Sequence, residues 1–120
     1  MQRRPFLPVC LLLLLGEAPG HGYELTERLR EWGFSLSGPG PVYRELRILE
    51  EGGLASSSWS ETQSGPVPRV YELTPAGRKA LDGAAHDLDD LAQLLRDFQR
   101  RHREMPAPSV PAQSPRRRSR

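Results

Sequence analysis

Two arginines and a tyrosine lie close together in residues 38–54, GPGPVYRELRILEEGGL, and such side chains can recognise nucleic acid. On a helix with about 100° between successive residues, Arg44 and Arg47 share one side and Tyr43 lies at its edge. A guanidinium can bond the edge of a guanine base or a phosphate group. The spacing therefore predicts a helix whose outward face can contact DNA.

An ordinary solvated helix face explains the same residues, because charged outer faces are the default for amphipathic helices. Net charge does not decide between the two interpretations. The whole chain has a formal charge of +2, but between residues 5 and 74 nine acidic side chains oppose five basic ones. Any prediction of DNA binding must therefore rest on local pattern and not on bulk charge.

The helix that would carry these side chains has a defined start and a defined end. Pro39 suits the first helical position, and Pro41 can follow because first-turn N–H groups have no partner within a helix. Gly52 and Gly53 are predicted to end the helix, since glycine accepts the left-handed conformation common there. The inward face has the spacing of a core stripe, formed by Val42, Leu46 and Leu49.

The apolar run FLPVCLLLLL, which follows Arg3 and Arg4, is typical of either a secretory signal peptide or a buried helix. It is too short to span a bilayer. Without it the rest of the chain has too little apolar surface for a stable core. We therefore expect residues 1–20 to provide the opening helix of the domain.

A second helix is predicted over residues 21–32, HGYELTERLREW, because Leu25, Leu29 and Trp32 recur at helical spacing. Gly22 near its start would permit close packing against the first helix. His21 is better explained as a capping or packing residue than as a metal ligand. With a short connector before residue 38, the order is helix, turn, helix.

Two short strands are predicted at residues 55–61 and 69–74, with the turn-rich sequence TQSGPVP between them, and they would form a β-hairpin wing. Thr74 and Pro75, a capping hydroxyl and a proline suited to the first helical position, then begin a long helix that continues to about residue 101.

A seven-residue repeat runs along this long helix, with Ala84 on the same stripe as several larger residues. The stripe must be buried, either against its own domain or, as we favour for so small a chain, against the same helix of a second subunit. The predicted dimer interface comprises Leu81, Leu88, Leu91, Leu95 and Phe98. Residues 102–120 are predicted to be a disordered basic tail.

The sequence gives little support for a catalytic or metal-binding function. It has no Gly-x-Ser-x-Gly elbow, no phosphate-binding loop and no zinc-ligand spacing. Cys10, the single cysteine, lies in the apolar run and is predicted to be buried and inert. We expect no enzymatic activity, no cofactor and no membrane, in a reducing, cytoplasmic compartment.

Three segments together resemble the PadR family of winged-helix transcription regulators: LLLLLGEAPGHGYEL (11–25), GPGPVYRELRILEEGGL (38–54) and RVYELTPAGRKAL (69–81). The resemblance covers about residues 5–101. It implies a mainly α (α+β) fold, a winged helix-turn-helix with a three-helix core and a two-stranded β-hairpin wing, followed by a long C-terminal dimerisation helix. The parts would be an N-terminal extension 1–4, a DNA-binding domain 5–74, a dimerisation helix 75–101 and the tail 102–120.

The resemblance further implies a homodimeric repressor that binds double-stranded DNA and is released by a small aromatic or lipophilic effector. Carried onto this chain, the DNA-binding residues would be Tyr23, Ser37, Pro41, Tyr43, Arg44, Arg47 and Arg69. Trp32 and Trp59 are the candidates for effector binding, although Trp32 is expected in the core.

Gly38 and Pro41 depart from the family, in which an aspartate cap and a hydroxyl residue are common at these places, and the change removes a polar DNA contact. The acidic excess keeps an alternative open, a winged-helix protein-interaction module without DNA binding.

Overall fold

The fold was obtained as a computed structural model, which describes residues 3–59 and 69–109. After a short 3₁₀ turn at Arg4–Phe6, the elements are α1 (Leu7–Glu17), β1 (Gly20–His21), α2 (Gly22–Glu31), α3 (Gly40–Glu51), β2 (Ala55–Trp59), β3 (Arg69–Leu73) and α4 (Pro75–Arg103). This order confirms the mainly helical winged helix-turn-helix class. The chain forms two compact units, Met1–Asp87 and Leu88–Arg120.

The sheet has three antiparallel strands in the order β1-β3-β2, whereas the sequence predicted only two of them. The hairpin of β2 and β3 is the predicted wing, with Ala55 opposite Leu73 and Trp59 opposite Arg69. The added strand β1 pairs Gly20 with Tyr71 on the far side of β3. A strand of two residues is too short to give any periodic signal in the sequence, which is why it was missed.

The core of the first unit is built around leucines of α1. Leu11 of α1, Leu29 of α2 and Leu46 of α3 are fully buried and belong to one cluster. The apolar run thus folds as a helix of the domain, as expected from the core that it completes. Cys10 on this helix is half-buried, and burial raises the pKa of its thiol while Arg3 opposes that shift. The prediction that Cys10 is fully buried was therefore wrong, although the raised pKa disfavours the reactive thiolate form.

The helix α2 is one residue shorter at each end than the predicted range 21–32, with His21 as the residue before the first turn and Trp32 as the residue after the last. The backbone N–H of His21 donates to Glu24 Oε1 at 2.9 Å, and its ring Nδ1 donates to the carbonyl of Arg69 at 3.2 Å. The Glu24 carboxylate therefore binds the backbone of His21 at the start of α2, and the His21 ring joins this helix to β3 as a packing residue. At the other end, Trp32 is 41% exposed and packs edge-on against Phe34, so the prediction that Trp32 lies in the core was wrong.

Gly22 permits a close approach, but against α3 and not against α1 as predicted. A Cβ atom at Gly22 would lie 2.6 Å from Cζ of Tyr43. The ring of Tyr43 therefore packs directly on the backbone of α2, which fixes the distance between the two helices.

The helix α3 starts one residue later than predicted, because Pro39 is the residue before the first turn and Pro41 occupies the second helical position. The predicted end is confirmed at Gly52, and Gly53 has a φ of +78°, a left-handed conformation that favours glycine.

The start of α4 is joined to the end of α3 through Thr74, as the capping hydroxyl predicted. The Thr74 hydroxyl donates to the carbonyl of Gly53 at 2.6 Å and accepts from the N–H of Gly77 at 3.0 Å. The approach is so close that a Cβ at Gly77 would overlap the carbonyl oxygen of Leu54. Further along α4, Leu81 is half-buried against the core of its own unit, near Gly16.

The helix α4 continues to Arg103, two residues beyond the predicted end, so residues 102 and 103 are helical and not part of a disordered tail. The predicted wing loop TQSGPVP and the chain after residue 109 lie outside the described residues, as do Met1 and Gln2. Among the helices that the structure describes, none combines the length and the apolar character needed to cross a membrane.

Two glycines of α4 should respond to alanine with opposite signs. Gly77→Ala should lower the free energy of unfolding by about 2 kcal/mol, because the new methyl group meets a backbone carbonyl that cannot move aside. Gly83→Ala is the matched control: open space surrounds Gly83, so the better helix propensity of alanine should raise stability by about 0.5–1 kcal/mol. Urea unfolding at one protein concentration measures both, and equal effects would refute the close contact at Gly77.

Candidate nucleic-acid interface

The outward face of α3 carries the two predicted arginines. Because Val42, Leu46 and Leu49 are buried against the core, the opposite side of the helix must face solvent. Arg44 and Arg47 are both exposed there. Within residues 3–59 and 69–109, neither guanidinium forms a hydrogen bond or ion pair with the chain. Both retain all their donors for an outside acceptor.

Ile48 lies on this same face, one helical turn after Arg44, and it is 51% exposed. Sequence reasoning missed it, although its separation of four residues from Arg44 places the two on one side of a helix. The outward face of α3, formed by Arg44, Arg47, Ile48 and Glu51, therefore combines two cations, one carboxylate and one branched apolar side chain.

Tyr43 lies at the edge of this face but is half-buried, because its ring packs on Gly22. Tyr71 of β3 is buried nearby, and burial raises the pKa of its phenol, with a further rise from the carboxylate of Glu50. The cations Arg69 and Arg47 oppose the shift without cancelling it. Tyr71 thus stays neutral beneath the interface and supports it by packing.

A chain of hydrogen bonds joins the wing to α3. Arg69 Nη1 donates to Ser57 Oγ at 2.6 Å, and Ser57 Oγ donates to Glu50 Oε2 at 2.7 Å. The guanidinium of Arg69 also lies 4.8 Å from the centre of the Trp59 ring, on the opposite strand. These contacts, together worth about 1–3 kcal/mol, hold the side chain of Arg69 at the start of the central strand β3 and join it to α3 through Ser57 and Glu50.

Sequence reasoning did not single out Ser57 or Glu50. Their roles depend on β2 passing beside α3, and only the tertiary fold brings the two together. The nearest available signal was the break in strand alternation in the run Ser56, Ser57, Ser58, which leaves hydroxyl groups on both faces of β2.

The remaining predicted DNA-binding residues lie near the ends of helices. Tyr23 is the second residue of α2 and is 64% exposed. Ser37 is exposed in the connector before α3, and Arg30 Nε holds that connector by donating to the carbonyl of Leu36 at 2.9 Å. Pro41 is half-buried and offers no N–H, so it can take part only through its apolar ring.

The two tryptophans are separate features of the surface. Trp32 packs on Phe34 with ring centres 6.4 Å apart, whereas Trp59 is 63% exposed under Arg69. Neither is enclosed, and each presents an indole face or edge to solvent.

In the second unit, the apolar stripe of α4 faces solvent. Leu95 and Phe98 are 55% and 65% exposed, and Leu88 is also exposed, while Leu91 is half-buried. Pairs within the helix surround the stripe: Arg100 donates to Asp97 at 3.0 Å, and this hydrogen bond lowers the pKa of Asp97. Leu81, in the first unit, is already engaged with its own core. The available part of the predicted dimer interface therefore begins at Leu88.

Comparison with known proteins agrees with this geometry. Residues 11–83 match the model of the transcriptional regulator PadR-like family. Transcriptional regulator Rv3488 of Mycobacterium tuberculosis is 41% identical over 73 residues, which are 61% of this chain and 66% of that protein. The match thus spans slightly less than two thirds of that relative.

Solved structures share the fold over most of their length. TM0937, a conserved protein of unknown function, is 36% identical with a TM-score of 0.73 and a match over 86% of this chain and 93% of that one. A PadR family transcriptional regulator from Eggerthella lenta is 26% identical with a TM-score of 0.71, over 81% and 84% of the two chains. Because the family model matches more than half of its residues, this chain belongs to the PadR-like family of transcriptional regulators.

Proposed function

We propose that the protein is a sequence-specific DNA-binding repressor that acts as a homodimer in the cytoplasm. The observation that carries the proposal is the exposure of Arg44 and Arg47 on the outward face of α3, with no partner in the described chain. In helix-turn-helix proteins the second helix of the pair enters the major groove, and its N-terminal residues contact base edges. Arg44 is the fifth residue of α3, and Arg47 follows it on the same face as the eighth.

The wing and α2 would contribute contacts to the DNA backbone. Arg69 is fixed by Ser57 and by the ring of Trp59, so little conformational freedom is lost when it meets a phosphate. The exposed phenol of Tyr23 can donate to another phosphate. Phosphate contacts set the position of the protein, and the contacts of α3 set its preference for sequence.

Dimerisation would supply a second copy of α3. The stripe Leu88, Leu91, Leu95 and Phe98 keeps a seven-residue repeat, and residues 88–109, the described part of the second unit, contain no buried core for it to pack against. Pairing with the same stripe of another subunit would bury it. The resulting dimer would read two half-sites separated by about one turn of DNA, roughly 34 Å.

Release by a small aromatic effector is the regulatory part of the proposal. The support is the edge-to-face pair of Trp32 and Phe34, since an exposed indole offers a flat surface on which a planar aromatic molecule can stack. Trp59 offers the same chemistry, but its face is already occupied by Arg69.

The second candidate function is a winged-helix protein-interaction module that does not bind DNA. It is favoured by the excess of nine acidic over five basic side chains in residues 5–74, which weakens general attraction to phosphate. A mobility-shift assay on the region upstream of the coding sequence separates the two functions, because only the repressor retards that fragment with sequence preference.

The double variant Arg44→Ala with Arg47→Ala should lose the specific shift, at a cost of about tenfold in affinity for each arginine, and should lose the preference for sequence at the bases that they contact. Arg78→Ala removes the same kind of charge from an exposed site on α4 that is paired with Asp82, and it serves as the control. An unchanged shift in the double variant would refute α3 as the recognition helix.

Leu95→Lys should convert the dimer to a monomer in sedimentation experiments, because pairing would bury an unpaired ammonium group at a cost of several kcal/mol. The control is Gln93→Lys, which adds the same charge to an exposed site off the stripe. Circular dichroism should show both variants folded, since neither side chain belongs to the core. A Leu95→Lys protein that stays dimeric would show that another surface pairs the subunits.

Planar aromatic compounds should quench the tryptophan fluorescence of the variant Trp59→Phe, which retains only Trp32, more strongly than that of Trp32→Phe. N-acetyltryptophanamide under the same conditions corrects for absorption by the compound. If both variants behave like the free amide, neither indole takes part in effector binding.

A further inference from the structure

We propose that Ile48 is a specificity-determining residue that reads the 5-methyl group of a thymine, an inference that rests on the proposed DNA binding of α3. Single exposed apolar side chains are common on protein surfaces and usually need no explanation. Ile48 differs by its place, because it is 51% exposed on the same face as Arg44 and Arg47. If that face enters a major groove, Ile48 enters with it.

The major groove offers a branched aliphatic side chain one apolar partner. Base edges there are hydrogen-bond donors and acceptors, except for the C5 methyl group that thymine alone carries. Contact with this methyl group would remove apolar surface of both partners from water. Opposite a cytosine, the same side chain would exclude water from the amino group of the base, which would then have no hydrogen-bond acceptor. Ile48 should therefore favour thymine over cytosine at one place in each half-site.

Position along α3 indicates where that thymine lies. Ile48 follows Arg44 by four residues, which is about 6 Å along the helix axis, and base pairs are stacked about 3.4 Å apart. The thymine should thus lie within about two base pairs of the base that Arg44 contacts. The backbone of Ile48 is held within α3, where its carbonyl accepts from the N–H of Gly52 at 3.0 Å. A β-branched side chain on a helix has few rotamers to lose, so the contact needs little ordering.

The test uses full-length protein and the duplex that it selects from a random-sequence pool. Each thymine of the selected duplex is replaced in turn by deoxyuridine, which removes the methyl group and leaves base pairing intact. Wild-type protein should lose about fourfold in affinity at one or two positions per half-site, the effect of one buried methyl group. Ile48→Ala should bind the unsubstituted duplex more weakly and should show no loss at those positions. Ile48→Val, which keeps the branched β-carbon, should retain part of the discrimination.

The outcomes separate this inference from the proposed function. Failure to select any duplex would overturn DNA binding and the role of Ile48 together. A specific duplex that tolerates deoxyuridine everywhere, or a uracil effect that persists unchanged in Ile48→Ala, would overturn the methyl contact and leave the repressor function standing. Thermal unfolding of the variants excludes a fold defect, because Ile48 lies outside the core cluster.

Discussion

The packing of one face of α3 on the leucines of α1 is the constraint from which the rest of the interface follows. Val42, Leu46 and Leu49 are buried, and burial of each such side chain contributes about 1.5–3 kcal/mol. A helix with that row inward has no rotational freedom left, so its other side is fixed outward. The exposure of Arg44, Arg47 and Ile48 is therefore a consequence of core packing. The leucine-rich opening helix, which resembles a targeting signal, thus fixes the orientation of the outward face of α3 in this structure.

Hydrogen bonds at both edges of α3 extend that constraint to its neighbours. Thr74 bridges the carbonyl of Gly53 and the first turn of α4, and Ser57 bridges Glu50 and Arg69. Tyr43 packs on the backbone of α2 at Gly22. Polar groups that are held on two sides cannot shift without leaving a donor or acceptor unpaired. These contacts join the outward face of α3, the wing strands and the start of α4 within the first unit.

Charge has to be judged locally in this molecule. The acidic side chains outnumber the basic ones in residues 5–74, yet the outward face of α3 carries two guanidiniums that have no partner among residues 3–59 and 69–109, while Glu17 pairs with Arg28 and Glu27 with Arg30. Such an arrangement gives a weak general attraction to phosphate and concentrates recognition in a few side chains. A regulator of this kind would depend more on base contacts than on counterion release, so its discrimination among sequences would be high relative to its affinity.

Periodicity and end signals in the sequence determined the helices and the wing. The stripe Val42, Leu46 and Leu49, the glycines after Glu51 and the cap at Thr74 are local features, and local physics was sufficient to predict the inward and outward faces of α3. Three features were decided only by the tertiary structure. The strand β1 forms because it can pair with the free side of β3. Trp32 is exposed because only one edge of its ring packs on a neighbour, Phe34. Ser57 joins α3 to the wing because β2 passes beside Glu50. Only the pairing of β1 with β3 joins distant parts of the chain, but all three features depend on how segments pack when the core forms, and no pattern within a single segment specifies that packing.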